Sequence, residues 1–318
     1  MRLAVLMTSC AMPVMAQDIS LSLPIDCTLG DTCYIQNYVD HDPSDAASDF
    51  QCGGLTYDTH KGTDFGLISL AAMERGVDVF ASAPGTVRGV RNDMRDVLFT
   101  SDLSSEINGR DCGNGVVVAH GNGWETQYCH MREGSVSVIV GDLVEPGDVL
   151  GQVGLSGRTQ FPHVHISVRQ GGQLVDPFAP DGVINCGTLA PYTLWAVPID
   201  TPAGGLLSTG FSDSVPDYAD LKAGTAAADA LRPDAPVFLW AFAFGAQPGD
   251  VVTLTIDGPG GAIFETEDVL DRQRALFMRA GGLNPPDGGW QRGTYTGHVL
   301  HHRDGIELDR QTTSITLP

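Results

Sequence analysis

The stretch HVHISV at residues 163–168 has histidines at i and i+2, followed by a run that favours β-structure. Successive side chains of a strand point to opposite faces, so a strand here puts His163 and His165 on the same face. Ile166 to Val168 continue the run with residues that are common in strands. We therefore predict a strand that presents two imidazoles to one site.

Two further short stretches carry the same kind of chemistry. HKGTD at residues 60–64 contains His60 and Asp64, and YCH at 128–130 contains His130. Lys-Gly-Thr between His60 and Asp64 disfavours a helix, so we predict a turn leading into a strand over residues 64–67. Catalytic zinc takes three protein ligands of the His, Asp, Glu or Cys type and keeps one position for water. The remaining histidines can then transfer protons or polarise a substrate.

In this order, the three stretches resemble the motifs of the lysostaphin-type (LytM-like) zinc endopeptidases, which cut peptides of the bacterial cell wall. The resemblance covers roughly residues 58–180. It implies one Zn²⁺ per chain, with His60, Asp64 and His165 as ligands. It also implies that His130 and His163 are the catalytic histidines. A motif of this kind is a hypothesis until its structural context is known.

The other histidines carry no comparable pattern. His41, His120 and the trio His298, His301 and His302 occur without a second motif at a ligand spacing. We expect each of them to be a surface residue or a hydrogen-bonded core residue.

The first residues resemble an export signal. LAVLMTSCAMPVMA follows Met1-Arg2 and ends in small residues, which predicts a signal peptide over residues 1–16 and a mature start at Gln17. Lipoprotein processing at Cys10 is the second possibility. No stretch reaches the 20 or so apolar residues of a membrane span. We expect a periplasmic or extracellular protein.

Six cysteines remain beyond the signal, an even number in an exported chain. A hairpin turn at residues 121–123 would place Cys112 and Cys129 opposite each other, so we predict a disulfide there. We further expect Cys27–Cys33 and Cys52–Cys186. Cysteine zinc ligands are the alternative, but no Cys-x-x-Cys spacing supports them.

The chain of 318 residues has a net charge of −21 and a pI near 4.5. This charge argues against nucleic-acid binding and against simple electrostatic adhesion to an anionic wall or membrane. We interpret the acidic surface as a source of solubility and expect a monomer. Substrate recognition must then be local, within a groove.

Short β-prone runs divided by Gly and Pro turns predict an all-β, mainly antiparallel protein. Residues 17–57 form a Cys-containing lead-in, and residues 58–186 a LytM-like β-sheet groove domain with an insertion at 91–112. Residues 190–318 read as a small immunoglobulin-like β-sandwich. Its tryptophans Trp195, Trp240 and Trp290 belong to the core or, alternatively, to a carbohydrate-stacking face.

The predicted function is zinc-dependent hydrolysis of peptide bonds in peptidoglycan stem peptides or cross-links, with a D,D cross-link as the expected target. One alternative is a non-catalytic LytM-like regulator of cell-wall amidases. Another is a secreted protease of Gly-rich proteins. We expect residues 190–318 to be dispensable for the chemistry and to matter for placement.

Overall fold

The computed structural model describes residues 19–184, 186 and 192–317. The predictions about the signal peptide, Gln17 and Cys10 lie outside this range. Strands make up most of the regular secondary structure of the described residues, and every pair of neighbouring strands is antiparallel. The all-β prediction is confirmed.

The strands are β1 (Cys33–Asn37), β2 (Thr63–Leu67), β3 (Asp78–Phe80), β4 (Gly85–Arg91), β5 (Asn114–Gly121), β6 (Trp124–Met131), β7 (Leu143–Val144), β8 (Val149–Gln152), β9 (His163–Gln170), β10 (Gln173–Val175), β11 (Gly205–Ser212), β12 (Val237–Ala246), β13 (Val251–Gly258), β14 (Gly261–Val269), β15 (Arg274–Leu283), β16 (Gly293–Arg303) and β17 (Ile306–Leu317). The helices are α1 (Leu70–Glu74), α2 (Ser104–Ile107) and α3 (Tyr218–Ala223), with a 3-10 turn at Ser101–Leu103. None of the described helices is long and apolar enough to cross a membrane.

An eight-stranded sheet carries the predicted motifs. Its order is β1-β2-β9-β6-β5-β4-β7, with β10 paired to β9. The strand predicted from HVHISV is therefore β9, in the middle of the sheet between β2 and β6. The side chains that alternate with its histidines, Val164, Ile166 and Val168, are buried in the core on the opposite face. The insertion at 91–112 contains the 3-10 turn and α2.

The C-terminal half contains two further sheets. One has the order β11-β12-β15, and the other the order β14-β13-β16-β17. A shared apolar core includes Leu239, Leu254, Ile256 and Val299. The two sheets thus form a seven-stranded antiparallel sandwich, while the immunoglobulin-like type stays a prediction.

The three tryptophans do not form a common stacking face. Trp195 and Trp240 are buried in the core of the first half, and Trp290 is half-buried with Nε1 donating to the Ala235 carbonyl. Trp195 and Trp240 are therefore core residues, and Trp290 packs at the edge of the second core.

All three predicted disulfides are present. Cys27–Cys33, Cys52–Cys186 and Cys112–Cys129 have Cα atoms 5.9, 5.0 and 4.8 Å apart, respectively. Each separation is within the usual disulfide range. Cys112–Cys129 joins the segment before β5 to β6, next to His130.

Candidate metal centre

Strand register places three of the five predicted side chains on one face of the sheet. Asp64 on β2 lies directly opposite His165 on β9, and Gly66 lies opposite His163. Directly paired residues of antiparallel strands share a face, and alternate residues of one strand do so too. Asp64, His163 and His165 therefore point into the same space. His60 reaches it from the turn that precedes β2.

His130 reaches the same face through a β-bulge. Cys129 pairs with His165 and Tyr128 with Ile166, so simple alternation would turn His130 away from the site. Instead, Cys129 and His130 together lie opposite Gly115, and His130 adopts a left-handed φ of 61°. Such bulges commonly re-aim a side chain next to an active site. The backbone N–H of His130 donates to the Cys112 carbonyl at 2.8 Å, which holds this conformation.

Three donor atoms converge at the centre. His60, Asp64 and His165 each offer one ligand atom, and these atoms all lie within 4.8 Å of one another. His165 Nδ1 is 2.7 Å from Asp64 Oδ1 and 3.2 Å from His60 Nε2, and His60 Nε2 is 3.2 Å from Asp64 Oδ1. Donors placed tetrahedrally around zinc lie about 3.3 Å apart, given zinc–donor bonds of about 2.0–2.1 Å.

The surrounding hydrogen bonds define which nitrogen of each ligand histidine carries the proton. His60 Nδ1 lies 2.6 Å from the Tyr38 carbonyl, an acceptor, so Nδ1 is the protonated nitrogen. His165 Nε2 lies 3.0 Å from Ser167 Oγ, whose own proton goes to the Lys61 carbonyl at 2.7 Å. Nε2 of His165 must therefore donate. His60 Nε2 and His165 Nδ1 then face the Asp64 carboxylate, an arrangement that a metal cation bound between the three groups would satisfy.

Asn37 and Gly62 complete the centre, and neither was predicted from the sequence. Asn37 Nδ2 donates to Asp64 Oδ2 at 3.0 Å, which leaves Oδ1 for a metal. Gly62 lies against the imidazole of His165, because a Cβ at this position would be 2.5 Å from His165 Nε2. The Gly of HKGTD could have been noticed as a possible close approach. Asn37 belongs to β1, and nothing in its local sequence marks it.

His130 and His163 lie beside the three donors. Their ring centroids are 4.7 Å apart. His130 Nδ1 lies 2.8 Å from the Ser156 carbonyl, and His163 Nδ1 lies 2.8 Å from the Phe161 carbonyl. Each Nδ1 therefore donates, and each Nε2 is free to accept a proton. The Nε2 of His163 is 3.5 Å from Asp64 Oδ1, so this lone pair also faces the centre.

Burial and mutual charge set the ionisation of the site. Burial lowers the pKa of His60, but the Asp64 carboxylate outweighs burial and brings that pKa above its ordinary value. Burial raises the pKa of Asp64, but His60 and His163 outweigh it and hold that pKa well below its ordinary range. Burial, followed by His163 and His165, depresses the pKa of His130 well below the ordinary value. Asp64 is therefore ionised and His130 neutral at neutral pH.

Three of the remaining histidines make contacts away from this centre. His41 pairs with Asp176 at 2.7 Å, His120 contacts the Pro84 carbonyl at 2.7 Å, and His301 pairs with Asp250 at 3.1 Å. Within residues 19–184, 186 and 192–317, the group formed by His60, Asp64 and His165 is the one set of three side chains at metal-binding distance.

The model of peptidase family M23 matches residues 58–177, the segment that contains all five site residues. This segment belongs to peptidase family M23. Curated proteins also match part of the chain. The chain resembles the DD-carboxypeptidase/endopeptidase Mpg of Neisseria meningitidis serogroup B, at 33% identity over 124 residues. It also resembles the peptidoglycan DD-endopeptidase ShyA of Vibrio cholerae, at 32% identity over 117 residues.

These matches cover 38% and 37% of this chain, but only 23% and 22% of the two relatives. The chain thus spans less than a quarter of their length. Among solved structures, a catalytic-domain mutant of the prophage-encoded M23 protein EnpA from Enterococcus faecalis matches at 26% identity and a TM-score of 0.30. That match covers 45% of this chain and 89% of the solved catalytic-domain chain. The lysostaphin catalytic domain of Staphylococcus simulans matches at 22% identity and a TM-score of 0.28, covering 37% and 76% of the two chains.

Proposed function

We propose that this protein is an exported zinc metalloendopeptidase that hydrolyses peptide bonds in peptidoglycan stem peptides or their cross-links, with D,D cross-links as the main target. The observation that carries the proposal is the convergence of two unprotonated imidazole nitrogens and one carboxylate oxygen in a buried site, with two more free imidazole nitrogens beside them. Membership of the M23 family and the DD-endopeptidase names of the relatives support the choice of reaction.

The residues present fit zinc, since His60, Asp64 and His165 supply the nitrogen and oxygen donors that it prefers. Bound there, zinc would supply Lewis-acid polarisation of the scissile carbonyl and activation of water. The surrounding chain prepares the ligands. Ser167 and the Tyr38 carbonyl hold the two ligand imidazoles by their protonated nitrogens, and Asn37 holds the second carboxylate oxygen.

His130 and His163 act on the attacking water in this proposal. Both rings are oriented through Nδ1 by a backbone carbonyl, so both direct a free Nε2 into the site. Neutral His130 accepts a proton from the attacking water and returns it to the leaving amine. His163, across the 4.7 Å between the ring centroids, accepts a hydrogen bond from the same water through its free Nε2 and so orients that water for attack.

The two alternatives make different predictions. A non-catalytic regulator of amidases would have lost one or more site residues, whereas all five are present in this chain. A secreted protease of Gly-rich proteins would use the same centre on a different substrate. Product masses from purified peptidoglycan, digested beside a Gly-rich protein, separate these possibilities. D,D-cleaved muropeptides support the proposal, and cleavage of the Gly-rich protein alone contradicts it.

Variants separate the two roles within the site. Asp64→Ala should lose both tight zinc binding and activity, and full zinc occupancy in that variant would disprove the ligand set. His130→Ala and His163→Ala should keep zinc and lose turnover by about 10²–10⁴-fold, the usual effect of removing a positioned acid–base group. Loss of metal from either folded histidine variant would show that ligand and catalytic roles are exchanged.

A further inference from the structure

The second half of the chain, residues 205–317 with β11 to β17, packs directly against the M23 segment, residues 58–177. Phe242 and Phe244 on β12 are two residues apart, point to one side of the strand, and belong to the same buried cluster as the β9 side chains. Leu239 and Ala241 point to the other side and belong to the core of the sandwich. The strand β12 therefore has two separate apolar faces, one for each half of the molecule.

Phe242 contacts the loop that orients His163. Its ring centroid lies 6.4 Å from that of Phe161. The Phe161 carbonyl accepts the Nδ1–H of His163 at 2.8 Å and the hydroxyl hydrogen of Thr159 at 2.7 Å. Phe161 itself is buried. Any movement of the Phe161 backbone thus moves the acceptor that orients the His163 imidazole.

Phe244 contacts a residue of β1 that lies one strand beyond the register partner of His163. Its ring centroid lies 4.8 Å from that of Tyr34 on β1. The Tyr34 ring covers Gly66, since a Cβ at Gly66 would be 2.9 Å from Tyr34 Cε1. Gly66 is the register partner of Tyr34 on one side and of His163 on the other. The hydroxyl of Tyr34 is buried without a hydrogen-bond partner among the described residues, so packing against Phe244 holds this ring in place.

We infer that Phe242 and Phe244 of the second half are positioning residues for His163, acting through Phe161 and through Tyr34 over Gly66. This inference rests on the proposed function for its kinetic consequence. Two side chains on the same face of one strand thus reach the surroundings of the same imidazole by two routes. The inference predicts that the second half contributes to turnover, whereas the sequence led us to expect that it is dispensable for the chemistry.

The test uses the full-length zinc-loaded protein and variants of one strand. Phe242→Ala removes the support of Phe161, and Phe242→Leu keeps part of it. Leu239→Ala is the matched control, because it removes a fully buried side chain from the same strand on the face that does not contact the M23 segment. The measurements are zinc content, kcat and KM on a soluble cross-linked muropeptide, and the Nδ1–H signal of His163 in ¹⁵N-histidine NMR spectra.

We expect Phe242→Ala to bind one zinc per chain, to keep its KM, and to lose kcat by roughly 10–100-fold, the effect of a small misplacement of a catalytic group. Its His163 Nδ1–H signal should broaden through solvent exchange. Phe242→Leu should recover most of the loss, and Leu239→Ala should keep both kcat and the signal. Equal kcat and equal His163 signals in Phe242→Ala and Leu239→Ala would overturn the inference.

The two proposals fail in distinguishable ways. A wild-type protein that does not cut the muropeptide contradicts the proposed function, while the NMR comparison still tests the positioning of His163. If Phe242→Ala does not fold, Phe242→Leu carries the test. Phe242→Leu must then show a lower kcat and a weaker His163 Nδ1–H signal than Leu239→Ala. If both quantities are unchanged, the inference is refuted.

Discussion

Substitution of Gly62 by alanine is the most specific test of the metal centre. The new Cβ would lie 2.5 Å from both His165 Nε2 and the Ile166 carbonyl oxygen, and 2.6 Å from His165 Cε1. These separations are about 0.9 Å shorter than the 3.4 Å at which ordinary contact begins. The carbonyl belongs to the central strand β9, so the imidazole is the group that can move.

The zinc site tolerates little of this movement. Zinc–nitrogen distances in protein sites vary by about 0.2 Å, several times less than the required shift. The shift also breaks the hydrogen bond between His165 Nε2 and Ser167 Oγ. Losing a hydrogen-bond partner of a metal ligand by itself lowers metal affinity about 10–100-fold. We expect zinc binding to weaken by at least ~100-fold, or about 2.8 kcal/mol. Overpacking should add about 1–3 kcal/mol of destabilisation.

Zinc titration of the metal-free protein by calorimetry, together with metal analysis after dialysis, measures this change. Gly89→Ala on β4 of the same sheet is the control, because its Cβ would meet Val117 only at 3.9 Å. Circular dichroism shows whether both variants are folded. A folded Gly62→Ala protein with the zinc affinity of Gly89→Ala would refute the assignment of His165 as a ligand held against Gly62.

Ser167→Ala should weaken zinc binding by about 10–100-fold without unfolding the protein, because His165 Nε2–H loses its acceptor. Zinc titration measures this change, with Ser167→Thr as the control, and an unchanged affinity would argue against the assigned tautomer of His165. Burial lowers the pKa of His301, so the unfolded chain binds a proton below about pH 6.5 that the folded chain does not, and stability should fall as the pH drops below that value. Thermal melts between pH 7.5 and 5 should show a smaller decrease for His301→Gln than for the wild type, and an equal decrease would exclude this contribution. Cys112→Ser with Cys129→Ser should lower the free energy of unfolding by about 3 kcal/mol, since the bridge closes a loop of 17 residues, and urea unfolding of oxidised wild type beside the double variant measures it.

The local sequence was sufficient to predict those features that depend on neighbouring residues of the chain. The two-residue period of a strand places His163 and His165 on one face, and β9 has that arrangement. Roughly equal distances from the hairpin turn predicted the Cys112–Cys129 bridge, which forms between β6 and the segment just before β5. Gly and Pro turns between short apolar runs predicted the antiparallel all-β architecture, which the sheets confirm.

The contacts that hold the metal-site side chains in place come from residues that are distant in sequence. Asn37 reaches Asp64 because β1 pairs with β2 across 27 residues of chain, and Phe242 reaches Phe161 because the sandwich packs on the M23 segment. Neither contact leaves a pattern in the local sequence, since an asparagine in a strand or a phenylalanine in an apolar run has many possible partners.

The sequence by itself determined which residue types meet: the pair of imidazoles on β9, the spacing of His60 and Asp64, and the strands that carry them. The tertiary structure alone decided the direction of His130. Alternation along β6 would have turned this side chain away from His165, and the bulge opposite Gly115 reverses it. A bulge is a property of two paired strands, held here by the bond from the His130 N–H to the Cys112 carbonyl. Its position depends on which residues of β5 and β6 pair, and that pairing exists only once the sheet has formed.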